Sequence, residues 1–259
     1  MKLTVGATLI AALAAVVSAC EPECRRGLAT AFSDKYYEPI AHTVQLLKPE
    51  LVNFKLNVPS QISAAVSEQA LKAGIETGVT SAINKMINTV TGDSLDKLYY
   101  SEMFNGPRSF KGDCNNPKRV DRRMPPPGES WTLEECEKMD YICGNPPSIC
   151  HFLDEIKDRL LNRTRVRLNE YSNGDGIFVR TLDNDVRTAV NNVLSREGAG
   201  SLIEDPIVNI MVDDIIVKQL GGMKNWSERD VKNLCLTTDQ DSICNSWDDE
   251  IKIEILKWP

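Results

Sequence analysis

Apolar residues recur at three- and four-residue steps along most of this chain, the spacing of one face of an α-helix. Leu28, Ala31, Phe32 and Tyr36 form the first such face. Pro39 is expected to break or kink it, because proline lacks an amide donor and clashes with the preceding turn. Ile40 to Leu47 resumes the pattern, and Pro49 is expected to stop it. Pro59-Ser60 opens a long helical stretch to about Val90, with Ile62, Val66, Ala70, Ala73, Ile83 and Ile87 on its apolar side. This stretch is rich in Ala, Ser, Thr and Gly, so its face is shallow. Gly74 and Gly78 would permit close helix contact. The simpler expectation is that they only loosen the helix, at about 1 kcal/mol each relative to alanine.

Asn105 to Trp131 carries Pro107, Pro117 and Pro125-Pro126-Pro127 and reads as a long loop. It separates an N-terminal helical half (20–104) from a C-terminal half (132–259), and the two are expected to pack as one domain. Thr132-Leu-Glu-Glu135 is a capping box opening a short helix to Tyr141. Ser148 opens a helix striped by Ile149, Phe152, Leu153, Ile156 and Leu160. Asn173-Gly-Asp-Gly176 marks a turn, and Ile177-Phe-Val179 reads as a short strand. Leu182 to Arg196 is helical by Val186, Ala189, Val190 and Val193, ending near Gly198. Ser201-Leu-Ile-Glu204 reads as a second capping box. The helix it opens runs to Leu220 and is apolar nearly all round, which predicts a central position. Gly221 is expected to end it. Ile251, Ile253 and Ile255 alternate with charges after a helix-like start at Ser246. The expected fold is predominantly α, a disulfide-stapled helical globular domain with a minor β-hairpin around 177–181 and 251–255.

The first residues change the picture from fold to compartment. Lys2, the apolar run Leu3–Val17 and the small residues before Cys20 form a secretory signal with a cut after Ala19. The run is shorter than the roughly 20 apolar residues that span a bilayer. Val17-Ser18-Ala19-Cys20 also fits a lipoprotein signal. Lipidating Cys20 would leave an odd number of thiols, and the even count favours plain secretion. No later stretch is apolar enough to cross a membrane, and Ile251–Pro259 has no hydrophobic tail, so no anchor is expected there.

All eight cysteines lie beyond the signal: Cys20, Cys24, Cys114, Cys136, Cys143, Cys150, Cys235 and Cys244. In a chain of 259 residues they are far sparser than in coreless scaffolds, which exceed about 8–10% cysteine. They are expected to staple a core that already exists. Short loops favour the pairs Cys143–Cys150, Cys235–Cys244 and Cys114–Cys136, each stabilising by about 2–4 kcal/mol. Other connectivities remain open. The sequons Asn162-Arg163-Thr164 and Asn225-Trp226-Ser227 fit the same compartment. Asn162 lies about 200° from the apolar stripe of its helix and should face water. Asn225 follows Gly221-Gly222 and is expected on a loop. The basic pairs Lys118-Arg119 and Arg122-Arg123 sit in the long loop, where a processing protease would find them accessible.

The formal charge is −7, which argues against a nucleic-acid partner, since phosphate binding needs clustered Lys and Arg. There is no CxxC, and the two histidines, His42 and His151, lack zinc-ligand spacing, so no metal or cofactor is expected. Gly92-Asp-Ser-Leu95 resembles, over these four residues, the signature of the GDSL hydrolases. The resemblance implies Ser94 as a nucleophile. That family's Gly-x-Asn-Asp and late Asp-x-x-His are lacking, so His42 or His151 would have to serve as base. The alternative is a glycine stop followed by a capped helix start. Asp239, Asp241 and Glu250 have calcium-loop spacing, but Ile243 and Cys244 stand where an oxygen ligand and glycine are needed. Asp213-Asp214 could do acid–base work. With Asp205 and Asn209, Asp213 reads instead as a water-facing stripe.

These features point first to a secreted, non-enzymatic extracellular binding protein, with an extracellular protein, a glycan or an apolar ligand as partner. A secreted hydrolase using Ser94 with His42 or His151 is the alternative. A carrier holding an apolar ligand between helices, centred on Ile207–Leu220, is the third.

Overall fold

The computed structural model describes residues 22–104 and 153–235, and every regular element among them is helical. The helices are α1 Pro22–Gln45, α2 Leu47–Val52, α3 Ser60–Ser63, α4 Glu68–Val90, α5 Asp93–Phe104, α6 Leu153–Ser172, α7 Ile177–Arg196 and α8 Pro206–Trp226. Gly200–Leu202 forms a 3-10 turn, and Ser227–Val231 a π turn. Close contacts divide these residues into two units. One holds 22–33, 96–104 and 153–160, and the other 34–95 and 161–235. The signal segment, the loop 105–131, the helix expected at 132–141, His151, the spacing around Asp239 and the strand at 251–255 lie outside the described residues. So do Cys20, Cys114, Cys136, Cys143, Cys150 and Cys244. Cys24 lies in the first turn of α1, and Cys235 takes part in a disulfide.

In the first unit Ala29, Phe32, Leu98, Tyr99, Met103 and Leu160 are buried. Asp96 accepts hydrogen bonds from Thr30 Oγ1 at 3.2 Å and from Ser33 Oγ. Arg159 Nη2 donates to the carbonyl of Glu102 at 3.0 Å.

In the second unit, α4 and α7 make the most extensive helix contact among the described residues. The reason is Gly74 and Gly78. A Cβ on Gly78 would lie 2.7 Å from the carbonyl oxygen of Asp185 and 2.9 Å from Val186 Cα. One on Gly74 would lie 2.5 Å from Val193 Cγ2. The glycines do more than loosen α4: they let the α7 backbone seat on it. Of the expected apolar side, Ile62, Val66, Ile83 and Ile87 are buried, and the buried face is wider than expected. Leu71, Ile75, Val79 and Ala82 are buried, while Ala73 is exposed.

Asp185 sits in this contact, 7% exposed. It accepts from Lys85 Nζ at 2.6 and 2.8 Å and from Ser81 Oγ at 2.8 Å. Burial pushes its carboxyl up, but the hydrogen bonds from Lys85 and Ser81 outweigh burial and hold it below its ordinary value. Lys85 is 55% exposed, so water screens the pair, and the bonds at the carboxylate matter most. Asp185→Asn is expected to cost about 1–3 kcal/mol in urea unfolding near neutral pH. A depressed folded pKa stabilises only above the unfolded value. The gap between wild type and variant should therefore shrink as pH falls below 3.8 and through the lower folded pKa. A gap that stays constant through that range would contradict this role.

Several expected boundaries move, each for a packing reason. Pro39 does not end its helix: α1 runs through it. Ala29, Phe32, Tyr36, Ile40 and Val44 are buried on both sides, and their burial outweighs a proline cost of about 3 kcal/mol. The break falls at Leu46, and Pro49 sits in the first turn of α2, where its missing amide is not needed. The stretch from Ser60 is interrupted, and α4 starts only after Ser67, whose side chain accepts from the Ala70 amide at 3.1 Å. The expected β-hairpin does not form, because Ile177–Val179 is the first turn of α7. Phe178, Leu182, Val186, Val190 and Val193 bury a helical stripe, and the short run Ile177–Val179 is drawn into its first turn. Gly176 is required before it: a Cβ there would lie 2.1 Å from the Tyr171 carbonyl.

At α8 the cap is Asp205, which accepts from the Ile207 amide at 2.9 Å, not Ser201. The helix also does not stop at Gly221. Gly222 packs on α2, where a Cβ would lie 2.4 Å from the Glu50 carbonyl. Beyond it, fully buried Trp226 donates from Nε1 to the Thr43 carbonyl at 2.7 Å. Nor is α8 apolar-buried all round. Val208, Met211, Val212 and Ile215 face inward, while Ile210 and Val217 are each 66% exposed.

Candidate functional site

The face of α1 beside its buried stripe carries Tyr37, Glu38, Ala41, His42 and Gln45. The neighbouring face of α4 carries Asn84, Ile87 and Asn88. Helical spacing puts Glu38, His42 and Gln45 in one row, and Asn84 and Asn88 in another. Together these residues line an open groove of about 550 Å³. Ala41 and Ile87 are the buried members, and the six polar side chains are exposed. No protein hydrogen bond or ion pair engages any of those six side chains among the described residues. Other carboxamides are engaged: Gln219 Nε2 donates to the Leu51 carbonyl at 3.0 Å, and Asn233 Nδ2 to the Arg229 carbonyl at 2.7 Å.

Ser94 lies in the first turn of α5, after Gly92 with its left-handed φ of 58°. Its hydroxyl accepts from Arg167 Nη2 at 3.3 Å. Arg167 in turn donates from Nε to Tyr171 Oη at 2.9 Å, and its guanidinium stacks over that ring at 5.1 Å. A guanidinium has no lone pair to take a proton. His42 lines the groove, and Ser94 is not among the groove's residues.

The paired carboxylates turn to different partners. Asp213, 63% exposed, accepts from Arg187, whereas Asp214 accepts from Lys218 Nζ at 2.6 Å. Asn162 is exposed on α6, although Thr164 of its sequon is 2% exposed. Asn225 is also exposed, but it lies in the last turn of α8 and not on a loop. Sequence reasoning singled out His42 and missed Tyr37, Glu38, Gln45, Asn84 and Asn88. Their polar spacing on two separate helices was the available signal, but nothing along the chain joins the two rows. Compared with protein-family models, curated proteins and solved structures, the chain matches none of them. Among the described residues no helix is long and apolar enough to cross a membrane, and no cluster of three or more metal-ligating side chains occurs.

Proposed function

We propose that this is a secreted, disulfide-stapled extracellular glycoprotein that works by binding and not by catalysis, with the α1–α4 groove as its binding site. The observation that carries the reading is the partner of Ser94. A serine becomes a useful nucleophile when a base stands within hydrogen-bond reach. Here a permanent cation occupies that reach, and the described histidine is in the groove instead. The groove is open, and among the described residues its six polar side chains have no protein partner, which suits a surface that recognises a soluble ligand. The carrier reading has less support. The inward residues of α8 are packed, and the groove lies on other helices.

The test uses protein secreted from eukaryotic cells. Non-reducing peptide mapping of that material should show an N-terminus at Cys20, glycans on Asn162 and Asn225, and bridged cysteines. The same material should hydrolyse p-nitrophenyl acetate no faster than its Ser94→Ala variant, within about twofold. A Ser94-dependent rate about a hundredfold or more above the variant would replace the binding reading with the hydrolase. A retained residue 1–19 segment or several free thiols would overturn the compartment.

A further inference from the structure

We infer that the α1–α4 groove binds a neutral carbohydrate, a short unsubstituted oligosaccharide. The inference rests on the binding reading above and names the ligand class for the same site. Its volume of about 550 Å³ falls in the usual range for ligand sites, about 300–1,000 Å³. The lining decides the chemistry. Gln45, Asn84 and Asn88 each carry a donor and an acceptor, and a sugar hydroxyl likewise donates and accepts. The Glu38 carboxylate can take two neighbouring hydroxyls at once, and His42 adds a further polar contact. Tyr37, 46% exposed, offers an aromatic face to the apolar C–H side of a pyranose ring.

Other ligand classes fit less well. Among the described residues no Lys or Arg lines the groove, so an anionic ligand would meet Glu38 without a counter-charge. An apolar ligand would strip water from six polar side chains and return no hydrogen bond, which is costly. A peptide adding as a strand needs a sheet edge, and the described residues contain no strand.

The experiment uses the full secreted chain, trimmed of its own N-glycans with an endoglycosidase so that they do not compete. Chitotriose, cellotriose, maltotriose and mannotriose are each offered at about 5 mM, where even a millimolar site is well populated, and read by saturation-transfer NMR. At least one should receive saturation. Tyr37→Ala and the double variant Asn84→Ala/Asn88→Ala should each weaken that binding at least about tenfold, with melting unchanged because these side chains are exposed. Ile210→Ala, on a separate exposed face, should leave it intact. No saturation across the panel would overturn the inference. So would binding that both groove variants leave untouched, or preferential binding of a heparin fragment or an acidic peptide at the groove. Those outcomes leave a binding rather than catalytic role standing, although binding untouched by the groove variants would move its site off the groove, whereas Ser94-dependent hydrolysis removes that role itself.

Discussion

Trp226→Ala is expected to lower the unfolding free energy by about 3–5 kcal/mol. In a domain of this size that corresponds to a fall in Tm of about 6–20 °C. The indole is fully buried, and its Nε1 donates to the Thr43 carbonyl at 2.7 Å. Alanine would remove most of the side chain from a close-packed site and leave that carbonyl without its partner. Trp226→Phe separates the two effects. It refills most of the volume but loses the hydrogen bond, so it should cost less, about 1–3 kcal/mol. Urea unfolding followed by far-ultraviolet circular dichroism checks both, because that signal reports helix content and not the mutated indole. If Trp226→Ala stayed within about 1 kcal/mol of wild type, the anchoring role would be wrong. The role matters to the fold, since this side chain and Gly222 hold the last turns of α8 beyond the point where its glycines would end it.

Gly78→Ala and Gly221→Ala are expected to act in opposite directions, although both replace a helical glycine. Alanine improves intrinsic helix propensity by about 1 kcal/mol at either position. At Gly221 nothing lies within 4 Å of the added carbon, so the variant should gain up to about 1 kcal/mol. At Gly78 the added carbon meets the backbone of Asp185 and Val186 at 2.7–3.0 Å. Backbone in a packed helix cannot rotate away as a side chain can. The α4–α7 contact must open, and the net loss should be about 1–3 kcal/mol. Gly74→Ala should fall between them, because its nearest neighbour is the tip of the Val193 side chain. A stabilised Gly78→Ala would show that the close approach of the two helices contributes little. Opening this contact would also disturb Asp185, which Ser81 and Lys85 of α4 hold across it.

The helical class of this protein was legible in its hydrophobic spacing, and so were the stripe through Val186, Val190 and Val193 and the turn at Asn173–Gly176. Water exposure of Asn162 also followed from its angle to the apolar face. These are local properties, set by a 3.6-residue period and by residues that need or refuse particular backbone angles. Boundaries were less legible, because packing overrode local signals. Pro39 reads as a breaker until Tyr36, Ile40 and Val44 are seen buried around it. Gly221-Gly222 reads as a stop until Gly222 meets Glu50 and Trp226 meets Thr43.

The candidate site shows the same division. His42 stands out in the sequence as one of two histidines, but its row and that of Asn84 and Asn88 are some 40 residues apart along the chain. Ser94 stands out through a four-residue string, and only its contact with Arg167 assigns it a partner. By itself the sequence determined the helical class, the acidic balance and the cysteine content, because composition and periodicity are carried residue by residue. Only the tertiary structure decided which helices touch, which glycines are indispensable and which polar side chains remain without a partner, because those depend on distances between residues that no pattern along the chain encodes.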